Sequence, residues 1–139
     1  MANEHKIGRH SISFNEPDTV FLCPNGAVLG PEGTELNRLQ VEMAKGCERL
    51  FLLIDLSGLE GMDAEVRKES GLTMKTLPLR GIAVFGASFK AKVLAKLIVS
   101  AMNLFKSAAD RAPLELFDTE QEARAWIAKR REELMGAAA

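Results

Sequence analysis

At 139 residues the chain has the length of one domain. With 47% hydrophobic residues it can bury a core without metal or disulfide staples, which argues against intrinsic disorder. Lys plus Arg number 18 against 19 Asp plus Glu, and a net charge of −1 argues against a nucleic-acid-coating surface, which needs a clear basic excess.

In chain order, His10-Ser-Ile-Ser-Phe14 alternates apolar with polar, the period of a half-buried strand. Asn15, Glu16, Pro17 and Asp18 supply turn chemistry, and Thr19-Val-Phe-Leu-Cys23 is rich in strand formers, so the two segments predict an antiparallel hairpin. Pro24, Asn25 and Gly26 end the second strand. Gly30-Pro31 opens a helix with Leu36, Leu39 and Met43 on one face, terminated near Gly46. Leu50-Phe-Leu-Leu-Ile54 is apolar without alternation, as in a strand buried on both faces. Ser57-Gly58 turns the chain, and Asp63 is the expected N-cap of a helix to about Leu77, whose apolar face (Val66, Met74, Leu77) is thin and which Gly71 weakens.

Gly81-Ile-Ala-Val-Phe85 is a second all-apolar strand, closed by Gly86. Ser88 caps a long helix to about Lys106, and Pro113-Leu-Glu-Leu-Phe117 is a short last strand. Thr119 and Glu122 form a capping box for a final helix packing through Ala123, Trp126, Ile127 and Leu134. The order β-β-α-β-α-β-α-β-α predicts an α/β fold, a mainly parallel sheet with an N-terminal antiparallel hairpin and helices packed on it. The expectation is a single domain over residues 1–139, with residues 1–8 and 136–139 flexible. Residues 1–10 are polar, unlike a signal peptide, and no charge-free run of about 18 apolar residues predicts a membrane span, so a cytoplasmic location is expected.

Catalytic chemistry is not legible. The chain has no G-x-G-x-x-G and no G-x-x-x-x-G-K-[ST], so nucleotide-binding readings fail at the motif level. Gly86-Ala-Ser-Phe-Lys90 lies between strand and helix, where free amides could hold an anion, but an ordinary Ser88 cap accounts for it. Asp55 ends the most buried strand, where phosphoacceptors sit in open α/β sheets. A receiver domain also needs an acidic pair after its first strand and a lysine after its last; with neither, Asp55 reads as a turn residue accepting backbone N–H bonds. His5 and His10 share no triad signature with Cys23, Cys47 or a serine. The two cysteines are too few for a disulfide scaffold, lack zinc spacing and read as small buried hydrophobes. Asp63 and Glu65 fall where acidic residues favour a helix dipole. No complete set of nucleophile, base and oxyanion donor exists, so a non-enzymatic protein without cofactor or metal is expected.

The most unusual segment is the helix from Phe89 to Phe105, with 12 apolar residues of 17. On a wheel of about 100° per residue, Lys92, Lys96, Ser100 and Asn103 form one narrow polar stripe, leaving an apolar arc of roughly 240°. Three explanations fit: plain burial, the wall of an apolar cavity, or contact with a partner or membrane. Lysine suits a headgroup-facing edge and a solvent-facing stripe equally.

The assembled pattern resembles the STAS superfamily, specifically the SpoIIAA-like branch that shares a fold class with Sec14/CRAL-TRIO lipid-binding domains. The landmarks are Leu52-Leu-Ile-Asp-Leu-Ser-Gly58, Arg80-Gly-Ile-Ala-Val-Phe85, and Phe117-Asp118 followed by Glu122-Ala123 and Trp126-Ile127, over roughly residues 10–134. The resemblance implies a non-enzymatic regulatory or ligand-binding domain. Anti-sigma-factor antagonists of the superfamily switch partners when a serine following an Asp at the second helix is phosphorylated. Here Asp63 matches, but Ala64 stands in place of that serine and Glu65 in place of a second, and Ser57 belongs to the preceding turn. Relatives in the SpoIIAA-like branch are associated instead with an apolar cavity and membrane association.

The leading expectation is therefore a STAS-like domain binding an apolar small molecule or lipid beside the long helix. Val93, Leu94, Leu97, Ile98, Met102 and Phe105 are the candidate contacts, with Lys92 and Lys96 as candidate headgroup contacts at a peripheral membrane surface. The alternative is a protein–protein partner-switching module of anti-sigma-factor-antagonist type, without the usual phosphoserine, using Asp55, Ser57, Asp63 and Glu65. No nucleic-acid partner is expected, and the wide apolar helix leaves monomer and dimer both open.

Overall fold

A computed structural model describes residues 3–104 and 106–138 of the chain. Its sheet begins with β1 (Asn3–Ile7), β2 (His10–Asn15) and β3 (Thr19–Cys23), consecutive antiparallel neighbours. The short β4 (Gly26–Val28) leads into α1 (Gly30–Ala44). β5 (Leu50–Asp55), β6 (Leu59–Met62) and α2 (Ala64–Lys75) follow, then β7 (Leu79–Phe85) and α3 (Phe89–Asn103). A 3₁₀ turn (Ala108–Asp110), β8 (Leu114–Phe117) and α4 (Glu120–Ala138) complete the fold.

The six-stranded sheet has the order β1-β2-β3-β5-β7-β8, parallel from β3 onward, and β4 pairs β6 in a separate two-stranded sheet. From β3 to β8 the order advances in one direction. Crossovers of a single hand then place their helices on one face of the sheet. Accordingly α1, α2 and α3 share one apolar cluster with Leu50, Leu52, Ile82 and Val84. α4, which follows the last strand, covers the opposite face through Ala123, Trp126 and Ile127 on Phe51, Leu53, Ala83 and Phe85. β5 serves both cores: Leu50 to Leu53 are 0–1% exposed, with alternate residues in the two clusters. That double burial is why its sequence shows no alternation.

The sequence-derived order of elements stands, with additions. Residues 3–7, expected to be flexible, form β1 alongside β2, from Asn3 opposite Phe14 to Ile7 opposite His10. An edge strand held by its backbone ladder needs no apolar period, and Asn-Glu-His-Lys has none. β4 and β6 fall where the sequence reading assigned no element, just after Asn25 and Gly58; at three and four residues they are too short to show a pattern. At the far end α4 continues through Gly136, where fraying was expected.

Local signals elsewhere hold. Ser88 Oγ accepts the Ala91 amide at 3.2 Å, and Thr119 and Glu122 exchange side-chain-to-backbone bonds at 3.2 Å in a reciprocal capping box. Two glycines allow close layer contacts. A Cβ at Gly33 would lie 2.6 Å from Val66 Cγ1, so α1 approaches α2 there only without a side chain, and a Cβ at Gly81 would meet Phe51 and the Trp126 indole at 3.0 Å.

Candidate ligand cavity

The three-helix face holds a partly open apolar cavity of about 80 Å³. Leu52, Ile54, Ile82 and Val84 of the sheet form its floor, and Val28, Leu59 and Met62 bring in the two-stranded sheet. The helices close it with Leu36 from α1, Val66 and Met74 from α2, and Ala91, Leu94 and Ile98 from α3. A volume of about 150 Å³ accommodates benzene and ~10–15 Å³ a water. As it stands, then, the cavity takes a molecule of a few heavy atoms.

α3 divides its wide apolar arc between two environments. Ala91, Val99 and Met102 are buried, and Leu94 and Ile98 are half-buried at the cavity. On the other side Phe89 is 83% exposed, Leu97 55% and Leu104 56%, with Val93 beside them and Leu72 of α2 exposed as well. Plain burial of the whole arc is thereby excluded. Of the six candidate contacts, Leu94 and Ile98 line the cavity, whereas Val93 and Leu97 face outward and Met102 is fully buried outside its lining. Phe105 lies outside the described residues.

The polar stripe borders β8, with its middle residues Lys96 and Ser100 exposed. Lys92 and Asn103 are half-buried, and Lys96 and Ser100 line a groove with Leu114, Glu115 and Leu116. Asn103 donates from Nδ2 to the Ala112 carbonyl at 3.1 Å and accepts the Ala112 amide at 3.2 Å, tying the end of α3 to the approach to β8. Exposed Lys90 and Lys96 flank the apolar outer face, and from residue 70 to residue 109 the chain has no Asp or Glu.

Of the alternative partner-binding set, Asp55 and Ser57 come together: Asp55 Oδ1 accepts the Ser57 amide at 3.0 Å and its hydroxyl at 2.7 Å, the turn role expected for Asp55. Asp63 precedes α2, but its side chain caps α1 instead, with Oδ2 accepting the Gly30 amide at 3.1 Å. The cap chemistry read from the sequence is right and the helix it serves is different, because the β4–β6 pairing brings the two helix starts together. Glu65 is exposed in the first turn of α2.

The cavity also has a polar corner that the sequence reading passed over. Asn37 and Gln40 of α1 line it and are each 4% exposed. Asn37 Nδ2 donates to Glu69 Oε1 of α2 at 3.1 Å, and Gln40 Nε2 donates to Asn37 Oδ1 at 3.5 Å. Gln40 Oε1 is buried and receives no hydrogen bond from the described residues. The signal was present: Gly33, Leu36, Asn37, Gln40 and Ala44 share the helical period of the inward face, so two amides had to point into the core.

This topology is a SpoIIAA-like fold, with its cavity between the parallel sheet and three helices. Of solved structures, the chain is similar to the crystal structure of an uncharacterized protein of the DUF3478 family with a SpoIIAA-like fold, from Shewanella loihica PV-4. The TM-score is 0.60 at 15% identity, covering 91% of this chain and 94% of that one. No family model matches the chain, and no curated protein matches it. Among the described residues no helix is long and apolar enough to cross a membrane, and no three His, Cys, Asp or Glu are grouped to hold a metal ion.

Proposed function

We propose that the chain is a non-enzymatic STAS-like domain of the cytoplasm that binds an apolar small molecule or lipid in the cavity beneath α3, with the outer face of α3 meeting an anionic membrane surface. The observation that carries this reading is the division of one helix into a cavity-lining side and an exposed apolar side. A helix folded only to complete a core has no use for Phe89, Leu97 and Leu104 in water. Lys90 and Lys96 beside that face supply the charge that headgroups attract. The two free cysteines fit a reducing compartment.

Filling the cavity tests the reading. Ile98→Trp places an indole in the space and is expected to abolish binding of xenon, an inert apolar probe small enough for the cavity, read by NMR. Leu97→Trp, one residue away on the exposed side, is expected to leave it unchanged. Equal binding by wild type and both variants would show that the probe sits elsewhere and would overturn the reading. The partner-switching alternative draws on exposed Ser57 and Glu65, but Asp63 is already committed to the Gly30 amide.

A further inference from the structure

The polar corner of the cavity carries an inference about the ligand, and it rests on the cavity reading above. We propose that the cavity selects a neutral aliphatic ligand bearing a hydroxyl, whose O–H donates to Gln40 Oε1.

The argument follows a three-residue relay whose polarity is fixed from its outer end. The Glu69 carboxylate only accepts, so the Asn37 amide turns its Nδ2 toward it at 3.1 Å. Asn37 Oδ1 is then left as an acceptor, and Gln40 answers with Nε2 at 3.5 Å. Reversing the Gln40 amide would set its oxygen against the Asn37 oxygen. Gln40 therefore turns Oε1 away from Asn37, and this buried oxygen of a cavity-lining residue is an acceptor that no described protein group satisfies. An acceptor in a wall whose polar members are Asn37, Gln40 and Ser70 calls for a donor on the ligand. A carbonyl compound of the same size offers none. An ionised carboxylate is disfavoured further, because no Lys, Arg or His is among the lining residues and Glu69 terminates the relay.

Four-carbon probes that differ only in their polar group isolate the donor, and the inert apolar atom xenon reports the cavity itself. With protein-observed NMR titrations, xenon and 1-butanol are expected to shift cavity-lining methyls of Ile82, Val84 and Ile98. 1-Butanol should bind about tenfold tighter than 2-butanone or butyrate. Glu69→Gln, at a half-buried position on α2, lets Asn37 and then Gln40 reverse, so that Nε2 takes the place of Oε1; the preference for 1-butanol over 2-butanone should shrink or invert. Gln40→Met, close to isosteric, should abolish the preference.

If xenon and both butyl probes leave these methyls unmoved, the cavity reading fails and this inference with it. If xenon enters while 2-butanone or butyrate binds as tightly as 1-butanol in the wild type, the cavity stands and the donor inference alone is overturned. That wild-type ranking does not depend on either variant folding.

Discussion

His10 is 1% exposed, with Nδ1 accepting the Asn25 amide at 2.9 Å and Nε2 lying 3.2 Å from Glu32 Oε1. Because Nδ1 is committed as an acceptor, the ring proton sits on Nε2 and is donated to Glu32. This ties β2 to the segment before β4 and to α1 in one tautomer. The sequence places a histidine at the start of a strand, but its two partners lie 15 and 22 residues away and could not be read locally. Gln40 is the same case: its inward face was legible from helical period, its relay to Glu69 on another helix was not. The cysteines are simpler. Burial pushes both the Cys23 and the Cys47 thiols up, so each is thiolate to a smaller extent than a free cysteine at any given pH. Alkylation by iodoacetamide should therefore run several-fold slower than for glutathione at the same mildly alkaline pH, and unfolding in urea should remove the difference. By the same sign, any stability the two thiols contribute is present below their unfolded range and falls as pH rises through the shifted values.

Element-scale legibility followed how local each signal is. Caps at Ser88 and Thr119 act within one turn and were readable. The mini-sheet of β4 and β6 depends on strands more than 30 residues apart, and its three- and four-residue runs include Gly26 and Gly61. Helix contact through Gly33 is another nonlocal fact, because nothing near Gly33 names Val66. Alanine at a helical glycine ordinarily gains about 1 kcal/mol. Gly33→Ala should instead lose about 1–2 kcal/mol in urea unfolding, since its Cβ would stand 2.6 Å from Val66 Cγ1. Val66→Ala costs stability alone, and the double variant should recover part of the Gly33→Ala loss. Strictly additive losses in that cycle would mean the close approach does not limit α1–α2 packing.

Across the whole molecule the two faces of the sheet are built unequally, three helices against one. Where a residue lies on α3 decides what its replacement does. Met102 is fully buried, and Met102→Ala should cost about 2–5 kcal/mol. Leu97 is 55% exposed, so Leu97→Asp should change stability by less than about 1 kcal/mol while lowering binding to anionic vesicles, read by sedimentation at low salt. Global unfolding by Leu97→Asp would contradict the outward placement of this side chain, and unchanged vesicle binding would count against the membrane-facing reading. From sequence the width of the apolar arc was plain. How it splits was not, because a hydrophobic wheel records composition around an axis and says nothing of which half meets the sheet.

The division of α3 also bears on how the native state opens. Six of the fifteen residues of α1 are buried, against three of the fifteen of α3. The C-terminal end of α3 is moored by the paired Asn103–Ala112 bonds, and its N-terminal end is held by the three-residue connection from β7. Segments with few buried apolar contacts open at lower free energy than the core. Amide protons in the middle of α3 should therefore exchange with solvent before those of α1 and long before those of β5. The helix would part from the sheet between two fixed ends, bowing away rather than swinging as a free arm, and would re-close over whatever had entered.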